Sequence, residues 1–430
     1  EIYFITGRGN HVNASGSRGV LKKILPNLLQ PYCQKIIKIN KEIGAYKIIL
    51  KPNQELTHLK HILTSLFAEN DNLIKVIENL KKSAASNNIE AMLSFAFICL
   101  YQIIPGFGGV NDGINLLEKA RTLGSVEATL ELAILYHEGI IVKQKHEKAF
   151  RIFCNLAENK NHPMAQYYLS ACYLHGKGVK YNDEQAVHWM QKSADQNNIY
   201  AQDCVGDFYL LGEITQQNFE LGIAYKTKAA EQGFADAQID LGRCYATGHG
   251  VKQNYQTAFK WYLAAAQFNN PYALFQVGTY LLQGRIGAPS PKEAFSWFLK
   301  AAELGDGDAE AQVARQYLFG EGGIRQNIQE GLKWAEKSSE KKNKYGYYVM
   351  AKVYLKGVGV MKNDAKAYEF MQLSADAGYQ KAAEKLKVML VKKEPTPSKI
   401  NPSAPKSTLF KPANESKQKP AEKAYEHIMA

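Results

Sequence analysis

A small residue recurs every 36 or 37 residues through most of this 430-residue chain. It stands at Ala91, Ala128, Ala165, Ala201, Ala237, Ala273, Ala309, Gly346 and Ala382. Eleven residues after seven of these positions comes glycine, at Gly139, Gly176, Gly212, Gly248, Gly284, Gly320 and Gly357. Because glycine takes the left-handed conformation that commonly follows a helix, each interval predicts one short helix. A period of this length is typical of helical hairpins that stack into a solenoid.

A second pattern with the same period predicts the other helix of each hairpin. Three residues after a further small residue comes a large one, at Ile152, Trp189, Tyr225, Trp261, Trp297, Trp334 and Phe370. Pairs of small residues follow most of them, for example Ala265-Ala266. Small side chains let neighbouring helices approach while the large side chain fills the space between hairpins. We therefore expect the four tryptophans to lie in the core and not to form a stacking platform for nucleic-acid bases.

These patterns predict a mostly α-helical fold, a right-handed α-α superhelical repeat solenoid, within a chain of four segments. Residues 91–390 are expected to form eight helical pairs, with Asp183, Asn254, Asn327 and Asp364 as caps of second helices. Residues 53–90 are expected to form a degenerate capping pair, with helices at 55–68 and 73–86. Residues 391–430 combine proline, lysine and serine, which is the composition of a disordered tail. Residues 1–52 form a separate α/β segment.

The repeat resembles a known family. The pattern A-x4-G/A-x2-Y-x2-G-x-G-V runs from Ala237 to Val251, and A-x2-W-x3-AA follows from Ala258 to Ala266. Both resemble the Sel-one-like (Sel1-like) repeat, a subclass of the tetratricopeptide-type helical repeats. The resemblance implies a superhelix that acts as an adaptor or scaffold and binds protein partners. Polar first-helix residues such as Gln166, Gln202, Asp203 and Gln238 are expected to be exposed on its concave surface.

The basic character of the chain belongs to its two ends. The net charge of the chain is +12 at neutral pH. Residues 1–52 carry +7, residues 391–430 carry +4, and the residues between them carry +1. Attraction to polyanions such as nucleic acid is therefore expected at the ends and not along the repeats.

The cysteines favour a reducing compartment. Six cysteines occur with no C-x-x-C pair and no interleaved histidine spacing, so no metal site and no cofactor are predicted. Cys172, Cys204 and Cys244 fall on first helices of separate repeats, about 10 Å apart, which is too far for a disulfide. The longest apolar stretch, Phe95 to Val110, is too short and too interrupted to span a membrane. We therefore expect reduced thiols and a cytoplasmic protein.

The first 52 residues follow the order strand, loop, helix, strand, strand. Strands are expected at 2–5, 36–40 and 46–50, and an amphipathic helix at 20–29. The glycine-rich loop after the first strand is a candidate phosphate cradle, in which backbone N–H groups, a helix N-terminus and Arg8 contact the anion. The residues predicted to contact nucleic acid are Thr6, Gly7, Arg8, Gly9, Asn10, His11, Lys22 and Lys23. The alternatives are a tight turn that needs glycine, an exposed loop histidine and solvated lysines.

This segment resembles the small MutS-related (Smr) domain, through I-T-G-R-G-N-H, V-L-K-K-I-L-P-N-L-L and G-A-Y-K-I-I-L-K. The resemblance implies an α/β sandwich that binds DNA or RNA, and several members of the family are endonucleases. Where the family often has histidine at the start of the glycine motif, this chain has Thr6. The Leu-Asp-Leu-His-Gly motif of the family's first strand does not occur here, so no catalytic residue can be assigned. We expect the chain to be a fragment of a longer protein.

Two functional hypotheses follow. In the first, a nucleic-acid-binding and potentially endonucleolytic Smr-like head is joined to a scaffold that recruits a protein partner. In the second, the chain is an adaptor alone, with a degenerate, non-catalytic head. A secreted bacterial effector that acts on a host cell is a variant of this second hypothesis.

Overall fold

A computed structural model describes residues 2–5, 33–40, 45–50, 71–101 and 106–391. The chain divides into two compact units, and the boundary lies between Gln216 and Gln217. Among the described residues, unit 1 holds three strands and eight helices, and unit 2 holds ten α-helices and one 3-10 turn. The described part of the chain is therefore mostly helical, as predicted.

Three strands in unit 1 form an antiparallel sheet. They are β1 (Ile2–Ile5), β2 (Cys33–Asn40) and β3 (Ala45–Leu50), in the spatial order β1-β3-β2. Both β1 and β2 pair antiparallel with β3, which makes them parallel to each other. Parallel strands need a crossover connection, and residues 6–32 are long enough to provide one. The predicted helix at 20–29 and the predicted nucleic-acid contacts lie outside the described residues.

The helices of unit 1 begin after the sheet. They are α1 (Asp71–Ala85), α2 (Ile89–Leu100), α3 (Val110–Thr122), α4 (Val126–Glu138), α5 (His146–Asn159), α6 (Pro163–His175), α7 (Asp183–Asp195) and α8 (Ile199–Leu211). The helix expected at 73–86 is α1, whereas the one expected at 55–68 lies outside the described residues.

Unit 2 continues the same alternation. Its helices are α9 (Phe219–Glu231), α10 (Ala235–Thr247), α11 (Tyr255–Ala266), α12 (Pro271–Gln283), α13 (Pro291–Glu303), α14 (Gly307–Phe319), α15 (Ile328–Glu340), α16 (Lys344–Lys356), α17 (Asp364–Asp376) and α18 (Gln380–Val391). The 3-10 turn Glu321–Gly323 follows α14. From α2 to α17, eight first helices alternate with eight second helices, and α18 is one further first helix.

Glycine ends the first helices as predicted. The seven glycines that follow α4, α6, α8, α10, α12, α14 and α16 have φ between 63° and 78°. Each donates its backbone N–H to a carbonyl in the last turn of its helix. Because a side chain at such φ is strained, glycine at these seven positions marks where each of these first helices ends.

Asparagine caps the second helices, and two predicted caps are wrong by one residue. Asn254 and Asn327 cap α11 and α15, as expected. The caps of α7 and α17 are Asn182 and Asn363, whose side chains accept backbone N–H groups. Asp183 and Asp364, which were predicted as caps, are the first helical residues instead. A carboxylate there is favourable because the helix N-terminus carries partial positive charge.

Small residues allow the two helices of a hairpin to touch. Ser193, Ser338 and Ser374 each stand first in a small pair of a second helix. Each hydroxyl donates to the carbonyl of the first residue of the preceding first helix, at 2.6, 2.8 and 2.6 Å. At Gly346 a Cβ atom would collide with Ser338. The missing side chain at Gly346 lets α16 pack directly against Ser338 of α15.

The large residues of the second helices lie between neighbouring helices. Trp189 and Tyr225 are buried, each with 8% of its surface exposed. Trp297 and Trp334 are half-buried against the apolar cores of unit 2, and Trp261 is also half-buried. Four of these rings carry a lysine ammonium three residues later at 4.6 to 4.9 Å, at Lys192, Lys228, Lys300 and Lys337. The tryptophans therefore act as packing residues, as predicted.

Candidate protein-interaction surface

The sequence points to two candidate surfaces, and the structure describes one of them. The predicted nucleic-acid contacts, Thr6 to His11 with Lys22 and Lys23, lie outside the described residues. The structure describes the repeats almost throughout, including the exposure of the side chains on the first helices. Four polar residues that the sequence suggested as an exposed binding face, Gln166, Gln202, Asp203 and Gln238, are buried. That suggestion was wrong.

The three glutamines are buried because they close the loop between hairpins. Each side-chain amide donates to a carbonyl near the end of the preceding second helix, at 3.4 Å for Gln166, 3.2 Å for Gln202 and 2.9 Å for Gln238. Gln166 and Gln202 also donate to Asn161 and Asn197, whose backbones are left-handed. A polar residue at this position therefore stabilises the loop and is not available to a partner.

Glu310 occupies the same repeat position and replaces the amide with a charge. Its side chain is fully buried, and its Oε1 atom lies 3.1 Å from Lys337 Nζ and 2.7 Å from Lys341 Nζ. Lys341 also donates to the carbonyl of Gly305 in the loop, at 2.6 Å. A carboxylate cannot donate to that loop, so Lys341 supplies the donor instead, and Lys337 adds a second positive charge at the carboxylate. The position is structural in this repeat as well.

Two other positions of the repeat carry accessible side chains in each of the first helices α10, α12, α14 and α16. These are the sixth and tenth residues after the small residue, and one helical turn separates them. In unit 2 they are Arg243, Thr247, Thr279, Gln283, Arg315, Phe319, Lys352 and Lys356, here called the first-helix face. All eight are exposed or half-buried. Because their identity changes from repeat to repeat while the packing positions stay constant, this face is suited to recognition.

The last part of the first-helix face is basic. Lys352 Nζ lies 4.3 Å from the centre of the Phe319 ring, and Lys356 Nζ lies 5.2 Å from it. Glu321 follows Phe319 by two residues and approaches Arg315 Nε at 2.7 Å and Lys352 Nζ at 3.8 Å. These contacts place α14 and α16 side by side and bring three cations together around one aromatic ring and one carboxylate.

Two amides on α14 are incompletely hydrogen-bonded. Gln316 has 1% of its surface exposed, and neither polar atom of its amide has a partner among the described residues. The buried Oε1 atom of Gln312 also lacks one. The equivalents of Gln316 in five other first helices are Cys172, Phe208, Cys244, Tyr280 and Val353. A buried amide without hydrogen-bond partners lowers stability by roughly 1–3 kcal/mol. The amide at this position of α14 therefore costs stability that the apolar residues at the equivalent positions do not.

The first helices of unit 1 present acids and tyrosines. Burial and the neighbouring Glu138 raise the pKa of Glu131 to about 7. Burial, Glu131 and Glu138 raise the pKa of Tyr101 to about 12. Burial also raises the pKa of Tyr168, with both glutamates adding to the effect. The mutual influence of these groups indicates that they lie near one another, at the end of α2 and on α4 and α6.

Histidines cluster behind this surface and belong to the core. His137 is 4% exposed, and its ring lies 5.7 Å from the ring of His146 and 5.8 Å from that of Phe153. Its Nδ1 atom lies 3.6 Å from Cys172 Sγ. Burial, together with the positive charge of Lys177, lowers the pKa of His137 to about 4. The ring is therefore neutral at physiological pH and acts as a packing group.

Among the described side chains, no three histidines, cysteines or acids are grouped so that they could hold a metal ion. The five cysteines in this part of the chain are free thiols.

The sequence already contained the signal for the first-helix face. Aligning the chain on its small residues shows Arg315 and Lys352 at one repeat position, and Phe319 and Lys356 at the other. Their proximity could not be seen in one helix, because the members of each pair lie 37 residues apart.

The hairpins correspond to a known repeat. The model of the Sel1 repeat matches seven consecutive segments, residues 126–161, 163–198, 200–234, 235–267, 271–306, 307–343 and 344–379. Together they cover more than half of the chain. The chain belongs to the Sel1 repeat family. The boundaries of the seven Sel1 repeats coincide with the helical pairs that the alanine and glycine spacing predicts.

Solved structures share this fold. A Sel1 repeat protein from Oxalobacter formigenes is 25% identical to this chain, with a TM-score of 0.50 over 79% of this chain and 95% of that protein. The protective antigen c5321 from uropathogenic Escherichia coli is 23% identical, with a TM-score of 0.52 over 78% of this chain and 82% of that one. At this identity the second likeness shows the fold alone.

A curated relative matches a smaller part of the chain. Protein SHC1 from Saccharomyces cerevisiae is 24% identical over 193 residues, which are 44% of this chain and 34% of that protein. The chain thus spans about a third of the length of the curated relatives that it matches.

In the part of the chain that the structure describes, every helix is too short or too polar to cross a membrane.

Proposed function

We propose that this Sel1 repeat protein is a scaffold whose first-helix face binds a protein partner. One observation carries the proposal. The residues that pack the hairpins repeat from one Sel1 repeat to the next, whereas the eight residues of the first-helix face differ and remain accessible. Packing of the hairpins requires the constant residues. The variable residues are not needed for packing, so they are available to bind a partner.

Site-specific photo-crosslinking in the cell of origin tests this proposal. A photoreactive amino acid is placed in the full chain at Thr279 or Gln283 on the first-helix face. Matched control sites are Lys260 on α11 and Met361, which has 90% of its surface exposed. We expect the same protein to be captured from both first-helix sites and not from the control sites. Capture at equal yield from all four sites contradicts the proposal.

We also propose that the amino-terminal head binds nucleic acid through Thr6, Gly7, Arg8, Gly9, Asn10, His11, Lys22 and Lys23. Two observations support an Smr-like α/β head. The strands appear in the predicted order, and β1 and β2 are parallel, which requires a crossover of the kind that the predicted helix provides. Residues 1–52 also carry a net charge of +7. The alternative is a non-catalytic head on a scaffold that binds proteins alone.

Binding of labelled DNA and RNA by the full chain at increasing salt tests the head. Lys22→Ala/Lys23→Ala is compared with Lys392→Ala/Lys393→Ala, an adjacent lysine pair in the basic tail. We expect the head variant to bind more weakly and to reduce the slope of log affinity against log salt by about one per lost contact. Equal weakening by both variants contradicts the head proposal.

A nicking assay with Arg8→Ala and His11→Ala addresses catalysis. Activity that depends on these residues supports an endonuclease. Binding without nicking supports the non-catalytic alternative.

A further inference from the structure

Three basic residues of the first-helix face lie near a fourth basic residue, Lys385, on the next first helix. Arg315 lies on α14, Lys352 and Lys356 on α16, and Lys385 on α18. Lys385 Nζ lies 5.7 Å from the ring of Tyr348, which anchors it beside α16. We call these four residues the basic cluster.

The positive charges in the basic cluster act on one another. Burial lowers the pKa of Lys352, Glu321 raises it, and the positive charges of Lys356, Arg315 and Lys385 lower it further. The side chain of Lys352 is only 19% exposed, so water screens this repulsion weakly. The carboxylate of Glu321 pairs with Arg315 and Lys352, and further negative charge supplied by a ligand would offset the repulsion among the four cations.

The same surface offers apolar and amide groups. Gln312, Arg315, Gln316 and Phe319 follow the spacing i, i+3, i+4, i+7 and therefore line one face of α14. The amide of Gln316 has two N–H donors and one carbonyl acceptor, is buried beneath this face, and has no partner among the described residues. The combination of cations, an aromatic ring and an amide matches the groups of a peptide with acidic side chains.

We propose that the basic cluster binds an acidic peptide segment of a partner protein. This inference rests on the proposed scaffold function and specifies the chemistry of its partner. Carboxylates of the peptide pair with Lys352, Lys356 and Lys385, and an apolar side chain packs beside Phe319.

Charge and geometry exclude two other occupants. The tail of this chain, residues 391–430, carries +4 and is repelled by the cluster. Stacking of single-stranded bases on Phe319 is disfavoured, because the ammonium groups of Lys352 and Lys356 cover its ring; phosphate contacts alone are an outcome that the oligothymidylate comparison tests. The cluster therefore favours a peptide from another protein.

Fluorescence anisotropy with the full chain tests the proposal. The probe is a fluorescein-labelled octapeptide of glutamates with one phenylalanine and one leucine. A counterpart with glutamine in place of every glutamate and an oligothymidylate of the same length serve as comparisons. We expect the acidic peptide to bind at least about tenfold more tightly than the glutamine peptide at low salt, because its charge is complementary.

Variants locate the binding. Lys352→Gln/Lys356→Gln keeps the side-chain stems and is expected to weaken binding at least about fivefold. The matched control, Lys260→Gln/Lys333→Gln, removes two exposed lysines from second helices of unit 2 and is expected to change affinity less than about twofold. Glu321→Gln removes the carboxylate that competes with the ligand and is expected to increase affinity, a result that misfolding cannot produce.

Three results overturn the proposal. The first is equal affinity for the glutamate peptide and the glutamine peptide. The second is an equal loss of affinity in Lys352→Gln/Lys356→Gln and in the control variant. The third is that the oligothymidylate binds more tightly than the acidic peptide, and that Lys352→Gln/Lys356→Gln weakens oligothymidylate binding more than peptide binding. Any of these, combined with specific photo-crosslinking at Thr279 and Gln283, refutes the acidic chemistry while the scaffold function stands. Absence of crosslinking with peptide binding intact refutes the scaffold function instead.

Discussion

The residue that follows the small residue of a first helix stabilises the loop between hairpins, with different chemistry in different Sel1 repeats. Gln166, Gln202 and Gln238 close the loop between hairpins by donating their amide hydrogens to backbone carbonyls. Glu310 stands at that position without a hydrogen to donate, and Lys337 and Lys341 approach its carboxylate. The glutamate thus depends on partners from the following second helix and loop, which the glutamines do not need.

This dependence predicts a coupling that stability measurements can detect. Lys337→Ala/Lys341→Ala leaves the fully buried carboxylate of Glu310 without a countercharge. Because both lysines are about 40% exposed, we expect a loss of only about 1–2 kcal/mol in unfolding free energy. In a Glu310→Gln background the same lysine changes are expected to cost less than half as much. A double-mutant cycle by chemical denaturation gives both values, and equal losses in the two backgrounds contradict the ion-pair account.

Glu131 predicts a dependence of stability on pH. Its pKa of about 7 in the folded chain exceeds the ordinary value of 4.5, so the folded state retains the proton more strongly than the unfolded state. Stability contributed by this group is therefore present below pH 4.5 and is lost as the pH rises to about 7. Glu131→Gln removes the loss and is expected to raise the melting temperature relative to wild type more at pH 8 than at pH 5. A difference that is constant with pH contradicts the assignment.

At the scale of the helices, the second glycine of each G-x-G turn makes a contact that the first does not. Gly178, Gly250, Gly322 and Gly359 have positive φ. A Cβ atom added to any of them meets the first residue of the preceding second helix, which is His146, Phe219, Pro291 or Ile328 respectively. The turn of one hairpin thus packs closely against the N-terminus of the second helix of the preceding hairpin.

Gly178 provides the test of this contact. Gly178→Ala strains the backbone and pushes a methyl group into the backbone of His146 and Glu147. Gly124→Ala is the matched control, because Gly124 has φ of 90° but open space around it. We expect the control to lose about 1 kcal/mol, and Gly178→Ala to lose about 2 kcal/mol or more, in thermal or chemical unfolding. Equal losses show that conformation alone matters and contradict a close contact.

The sequence predicted the elements better than the surface. Small residues and glycines repeat because packing and helix ends demand them at fixed intervals, so the helical pairs were predicted correctly. The exposure of Gln166 and Gln202 was predicted wrongly, since a glutamine that bonds a loop cannot be told from a solvated one by pattern. The caps at Asp183 and Asp364 were off by one because asparagine precedes each aspartate. The Smr-like head remains a prediction.

Across the whole molecule, the distribution of charge separates the tasks of the segments. Residues 1–52 and 391–430 carry most of the net positive charge, while the repeats are nearly neutral in total. Local charge within the repeats therefore depends on how the first helices are placed beside one another. The basic cluster in unit 2 and the acidic, tyrosine-rich surface in unit 1 are both products of that placement.

The central claim is that no hairpin is stable alone, because each buries its apolar face against its neighbours. Tyr262 tests this claim, since its ring is 2% exposed, fills the space at Gly242 in its own hairpin and lies 5.7 Å from the Tyr280 ring in the next hairpin. We compare hydrogen exchange of the full chain carrying Tyr262→Ala with that of Met361→Ala, which changes an exposed side chain. Tyr262→Ala is expected to cost roughly 3–5 kcal/mol and to speed exchange in α12 and α13 as well as in α10 and α11. Faster exchange confined to α10 and α11 contradicts the claim.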